Sequence, residues 1–118
     1  MAYQSEVAIV LSPEGQKELE IQMESNELLR QAIEKVVRVQ KNEGYTLYHF
    51  NTIHWTNIDD ECYRDIYELA VFLENLDNEN YNFVRLGENI GDFEEEGSLA
   101  YDAVIPFSIG VNQSLYIE

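Results

Sequence analysis

Positive charge is scarce in this sequence, in which seven Lys and Arg stand against 23 Asp and Glu and the net charge is −16 at pH 7. A surface of that sign repels phosphates and anionic lipids, which argues against direct binding to DNA, RNA or a membrane. Cys62 is the only cysteine, so no internal disulfide can form and nothing indicates an oxidising compartment. The apolar run at residues 7–11 is too short for a signal peptide or a membrane span, and we therefore expect a cytoplasmic protein.

The negative charge is concentrated after the first third of the chain. Residues 1–41 carry seven Glu against five Lys or Arg, whereas residues 42–118 carry sixteen Asp or Glu against only Arg64 and Arg85. Such a field attracts a basic surface or a divalent cation, although solubility alone is a sufficient use for it. A length of 118 residues and a hydrophobic fraction of 45% are typical of one folded unit, and we predict a single acidic α+β domain over residues 1–118.

The first third of the chain predicts a strand followed by helix. Residues 3–11 alternate, and the later half is apolar on both sides, as in a strand buried on two faces. Ser12 and Pro13 then supply an N-cap and a first helical residue. Apolar side chains recur at three- and four-residue spacings to about residue 41, which predicts helix as far as the turn at 42–44. Ser25-Asn26 offers a second cap, so the region forms either one helix or two.

The remainder predicts shorter elements separated by turns. A strand is expected at 45–50, extending towards Trp55, and a helix at about 60–76, whose caps would be Thr56, Asn57 or Asp59. We further expect a strand at 81–86, an acidic, glycine-punctuated connection at 87–102, a strand at 105–111 and a pairing segment at 115–117, with Pro106 at an edge or a bulge. The predicted order is β-α(α)-β-α-β-β, an α+β fold with the helices on one antiparallel or mixed sheet.

No pattern in the sequence indicates catalysis, a metal or a cofactor. A calcium loop starting at Asp77 would place Tyr81 at a ligand position and Asn82 where a glycine must turn. Cys62, His49 and His54 follow no zinc spacing, and the acids around Cys62 oppose a reactive thiolate. The connection at 87–102 lacks the lysine of a phosphate-binding loop. We therefore predict a protein that is not an enzyme.

The acidic side chains are the candidate binding groups. Glu61, Asp65 and Glu68 share one side of the predicted helix at 60–76, opposite its apolar side. A second cluster lies in the acidic connection and comprises Asp92, Glu94, Glu95 and Glu96. Carboxylates on a rigid scaffold can imitate a nucleic-acid backbone, which carries one charge per roughly 1.7 Å of duplex axis. We predict that these seven residues bind the basic surface of a nucleic-acid-binding protein. The alternative is an interaction module that uses exposed aromatics (Trp55, Tyr63, Tyr67), with the charge serving solubility.

Three segments resemble small acidic proteins of bacteriophages and prophages. They are Tyr3-Gln4-Ser5-Glu6-Val7-Ala8, the run YNFVRLGE at 81–88, and the run DFEEEG at 92–97. Those proteins commonly begin Met-Gly-Tyr-Arg-Ser, from which this chain departs at Ala2 and Gln4. The resemblance implies a mobile-element accessory protein in the cytoplasm of a host bacterium, where inhibitors of CRISPR effectors or restriction systems are frequent. It transfers no catalytic residue.

Overall fold

The computed structural model describes residues 4–55, 63–99, 106–107, 109–112 and 114–117. Several predicted features lie outside these residues, namely Tyr3, the caps Thr56, Asn57 and Asp59, and Ile105. The described elements, in chain order, are β1 (Ser5–Leu11), α1 (Pro13–Ser25), α2 (Glu27–Glu34), β2 (Arg38–Asn42), β3 (Tyr45–Ile53), α3 (Arg64–Asn75), a 3₁₀ turn (Asn78–Asn80), β4 (Tyr81–Gly87), β5 (Phe93–Glu96), β6 (Ile109–Asn112) and β7 (Ser114–Ile117).

Local hydrogen bonding fixes the start of both N-terminal helices. The Ser12 hydroxyl accepts a hydrogen bond from the Gly15 amide at 3.0 Å, and Pro13 opens α1, as predicted. Asn26 breaks the helical backbone, and its Oδ1 accepts from the Leu29 amide at 3.1 Å to cap α2. The region therefore forms two helices, because the second cap satisfies an amide that a continuous helix would bond internally.

The predicted helix as far as residue 41 is wrong. Helix α2 ends at Glu34, and the Val37 amide already donates to the His49 carbonyl at 2.8 Å. Strand β2 then pairs antiparallel with β3 across a two-residue turn in which Glu43 and Gly44 have φ of 54° and 88°. Positive φ at both central residues matches the right-handed twist of a hairpin, so this turn redirects the chain into the sheet.

The main sheet has five antiparallel strands in the order β2-β3-β1-β4-β5. Strands β3 and β4 both pair with β1, so they run parallel to each other on either side of it, and α3 connects them. This is a split β-α-β arrangement. Strand β1 is buried on both faces, as its sequence predicted, because it lies at the centre of the sheet.

Each face of the sheet is covered by a different layer. The helices cover one face, where Ile9, Phe50 and Phe83 pack with Leu29 and Leu69. The other face carries Ala8, Val10 and Leu47, which pack against Leu99 and Phe107 and against apolar residues of β6 and β7.

Strands β6 and β7 pair with each other in a separate two-stranded sheet, not in the main sheet. Pro106 precedes β6 and so lies outside it, contrary to the predicted strand from residue 105. The fold is α+β with more strands than the sequence predicted. None of the helices in the described part of the chain has the length and apolarity of a transmembrane span.

Candidate functional site

The acidic connection predicted at 87–102 contains an edge strand of the main sheet. Its residues 93–96 form β5, which pairs antiparallel with β4 in a register that sets Arg85 opposite Glu94 and Phe83 opposite Glu96. The Gly87 amide donates to the Asp92 carbonyl at 2.8 Å and closes the turn. All four side chains of β5 are exposed. The acids are thus held in a regular extended array on the rim of the sheet.

Arg85 fastens this hairpin to the core of the sheet. Its side chain is only 4% exposed, and Nη2 donates to Asp92 Oδ1 at 2.6 Å while Nε donates to Glu94 Oε1 at 2.8 Å. Nη1 also donates to the Ser5 hydroxyl on β1 at 3.1 Å. Burial by itself would lower the pKa of the guanidinium, but the hydrogen bonds and charges of Asp92 and Glu94 raise it. Two of the four predicted acids in this cluster therefore act as ion-pair partners within the fold.

A further carboxylate, that of Glu74 near the end of α3, contributes to the electrostatic environment of β5. Partial loss of solvent and then the charges of Glu94 and Glu74 raise the pKa of Glu96. Burial raises the pKa of the Tyr81 hydroxyl as well, with Glu96 and Glu74 contributing through their charge. Both shifts place Glu74 in the field of the β5 acids. We call Glu74, Glu94, Glu95 and Glu96 the acidic edge.

The end of β5 is fixed by close backbone packing. Gly97 has φ of 88°, and a Cβ built on it would lie 2.1 Å from the Tyr81 carbonyl oxygen, so only glycine fits. The next residue, Ser98, donates its amide to the Asn78 carbonyl at 2.7 Å. These contacts bring the strand against the turn that follows α3, so that the charge of Glu74 acts on Glu96.

The three acids predicted on the helix at 60–76 do not form one exposed face. Asp65 is buried, with 7% exposure, and Lys35 Nζ lies 2.6 Å from its Oδ2, so its expected place at the surface is wrong. Helix α2 covers that side of α3, and the ion pair compensates the burial. Glu68 is half-buried and accepts a hydrogen bond from Asn26 Nδ2 at 3.3 Å. Glu61 lies outside the described residues.

Glu68 instead lines a groove between α1 and α3 that the sequence did not indicate. The groove has a volume of about 360 Å³, and Leu29 and Phe72 are among its apolar lining residues. Its carboxylates come from Glu14, Glu18, Glu68 and Asp77, and none of the described residues that line it is Lys or Arg. The helical spacing of Glu14 and Glu18 was visible in the sequence, but their approach to α3 depends on tertiary packing.

Two of the three candidate aromatic residues are engaged inside the structure. Trp55 is half-buried with its ring centroid 4.9 Å from that of Phe83, and the ring of Tyr63 lies 4.1 Å from that of His54. Tyr67 is 45% exposed and remains available at the surface. The described residues contain no group of three or more His, Cys, Asp or Glu side chains placed to hold a metal ion.

Comparison with known proteins adds no relative. No protein-family model matches the sequence, and no curated protein or solved structure is significantly similar to the chain.

Proposed function

We propose that this protein is a non-enzymatic accessory protein of phage or prophage type that binds the basic surface of a host nucleic-acid-handling protein through its acidic edge. A CRISPR effector or a restriction system is the kind of target that the sequence resemblance favours. Binding there would occupy the groove that nucleic acid requires and so inhibit the target in the host cytoplasm.

The observation that carries this proposal is the convergence of carboxylates from two distant parts of the chain. Partial burial raises the pKa of Glu96, and the charges of Glu94 on β5 and Glu74 on α3 raise it further. Like charges that act on one another oppose folding. The positive charges of a basic partner would offset that repulsion.

The spacing of the β5 acids also fits the proposal. Successive residues of a strand advance by about 3.3 Å. Phosphates advance by about 3.4 Å along one strand of a duplex. Glu94, Glu95 and Glu96 therefore follow one another at about the axial spacing of phosphates, with Glu95 on the opposite side of the strand and Glu94 paired with Arg85. The Arg85 ion pairs hold that strand in place, so little conformational entropy is lost on binding.

Competition with DNA tests the proposal directly. Immobilised protein is incubated with a nuclease-treated bacterial lysate at low salt, and bound proteins are eluted either with duplex DNA or with rising salt. We expect basic proteins that DNA displaces, and binding that weakens steeply between about 0.05 and 0.5 M salt because surface charges are screened. Capture that neither DNA nor salt affects would contradict the proposal.

Paired charge reversals locate the binding surface. The double variant Glu74→Lys/Glu96→Lys should lose the captured proteins, whereas Glu20→Lys/Glu24→Lys, which changes the net charge equally on exposed positions of α1, should retain them. Equal loss in both variants would show that net charge alone governs capture. In cells, expression of the wild type should raise the plating efficiency of a phage that a CRISPR or restriction system targets, and the first variant should not.

A further inference from the structure

Strand β5 is the last strand of the main sheet, and its outer side is open among the described residues. The Gly87 amide bonds to the Asp92 carbonyl, so the alternation of an antiparallel ladder directs the backbone groups of Asp92, Glu94 and Glu96 towards β4. The same alternation turns the N–H and C=O groups of Phe93 and Glu95 outward. An outer edge of this kind is a template for a further strand.

The side chains of β5 determine which strand can pair there. Glu94 and Glu96 project on the side of the sheet that carries Arg85 and Phe83, while Phe93 and Glu95 project on the other. Each side of an added strand would thus meet at least one carboxylate. A second copy of β5 would bring three glutamates against three, which disfavours self-pairing. Lys or Arg at successive positions of an added strand would be attracted on both sides.

Contacts at both ends hold β5 in an extended conformation before a partner binds. Arg85 fixes the start of β5 through Asp92 and Glu94, and Gly97 fixes its end against Tyr81. Phe93 is 51% exposed next to the turn and offers an apolar contact beside the charges. Rigid edges of this type gain affinity from main-chain hydrogen bonds and specificity from alternate side chains.

We propose that the outer edge of β5 accepts an extended, Lys- or Arg-rich segment of a partner protein as a sixth strand of the main sheet. The inference rests on the proposed function and specifies its mode of binding: the carboxylates select a basic segment, and the outward groups of Phe93 and Glu95 bond to its backbone. The charges on an edge strand commonly serve to prevent aggregation. Here the charges that exclude a second copy admit a basic strand.

A capped hexapeptide, Thr-Arg-Arg-Arg-Arg-Thr, is the probe, because its arginines project on both sides of an extended strand and its threonines favour extended structure. Its affinity for the wild-type protein is compared with that of the same peptide methylated on every backbone nitrogen, which keeps the charge and removes the donors. We expect the methylated peptide to bind about tenfold more weakly, as the loss of one or two main-chain hydrogen bonds implies. Amide signals of Phe93 and Glu95 should shift and gain protection from exchange, while those of β2 at the opposite edge should not.

The variants separate this inference from the proposed function. Glu95→Lys/Glu96→Lys should weaken the unmethylated peptide about tenfold or more at low salt, and Glu20→Lys/Glu24→Lys should weaken it less than threefold. Equal binding of the two peptides, or no binding of either, would overturn strand addition, even if DNA still displaced the proteins captured from a lysate. If the wild-type protein captured no proteins that DNA displaces, that separate result would overturn the proposed function.

Discussion

Arg85 is expected to stabilise the whole hairpin, and Arg85→Met measures by how much. Hydrogen bonds to charged groups contribute about 1.5–3 kcal/mol, and breaking a fully buried ion pair costs about 3–5 kcal/mol. The carboxylates left behind can regain water, since the Asp92 and Glu94 side chains are 33% and 45% exposed. We therefore expect the free energy of unfolding to fall by about 2–3 kcal/mol. Urea unfolding monitored by the fluorescence of Trp55, which packs on Phe83, provides the measurement.

Arg64→Met is the matched control, because Arg64 is exposed at the first residue of α3 and should change stability by less than about 0.5 kcal/mol. In the double variant Arg85→Met/Glu94→Gln the losses should be less than additive, since both changes break the same ion pair. A loss in Arg85→Met no larger than that of the control would refute the reasoning. So would hydrogen exchange at β5 that is unchanged from wild type.

Two further sets of variants test Gly97, which follows β5, and Glu96, the last residue of β5. Gly97→Ala should lower the free energy of unfolding by more than about 2 kcal/mol, because the added Cβ would lie 2.1 Å from the Tyr81 carbonyl oxygen. Gly91→Ala is the control: Gly91 is also at positive φ but has nothing within 4 Å, so the loss should be about 1 kcal/mol. Equal losses in urea unfolding would contradict this expectation. Glu96→Gln should stabilise the fold by a few tenths of a kcal/mol at pH 7. The raised pKa means that ionised Glu96 is disfavoured in the folded state, so the gain should be lost as the pH falls through that pKa and wild-type Glu96 takes up a proton; a gain that persists at pH 3 would oppose this explanation.

The features that the sequence predicted correctly depend on local chemistry. Ser12 and Asn26 cap helices through amides three residues away, so the signal and the contact lie in the same short segment. Strand β1 was recognisable because burial on both faces leaves a continuous apolar run at 7–11. Neither inference required knowledge of a distant part of the chain.

Strand β2 was missed because Val36 and Val37, which precede it, continue the apolar spacing of the preceding helix. Val36 and Val37 fall where a helix would place its next buried turn, yet Val37 and Val39 are exposed at the sheet edge. Their β-branched side chains favour a strand, but the deciding element is the hairpin turn. Glu43 at positive φ is an uncommon choice there, so the sequence contained only Gly44 as a signal.

The acidic composition of the candidate site was evident from the sequence, but the strand and ion pairs in which its residues take part were not. The acids at 92–96 were evident from sequence, but their assignment to a strand required the register with β4, which places Arg85 opposite Glu94. Asp65 and Lys35 lie 30 positions apart and meet only because α2 packs on α3. Glu74 could have been identified from the short turn that links α3 to β4, had β5 been recognised beside it.

The acids of the hairpin fall into an ion-paired group and an unpaired group, and this division explains how a dense negative surface is held in a fixed conformation. Asp92 and Glu94 share the single positive charge of Arg85, which anchors them to β1 through Ser5. Among the described residues, no ion pair forms at Glu95 or Glu96, so these two carboxylates have no compensating positive charge, and they lie on a strand that the ion-paired acids hold in position. Since a mobile acidic loop would have to be ordered at the moment of binding, the ion-paired acids reduce the entropic cost for the unpaired ones. Removing Asp92 or Glu94 should therefore weaken binding mainly through loss of order, whereas removing Glu95 or Glu96 should weaken it through loss of attraction, and the second effect should diminish more as salt rises.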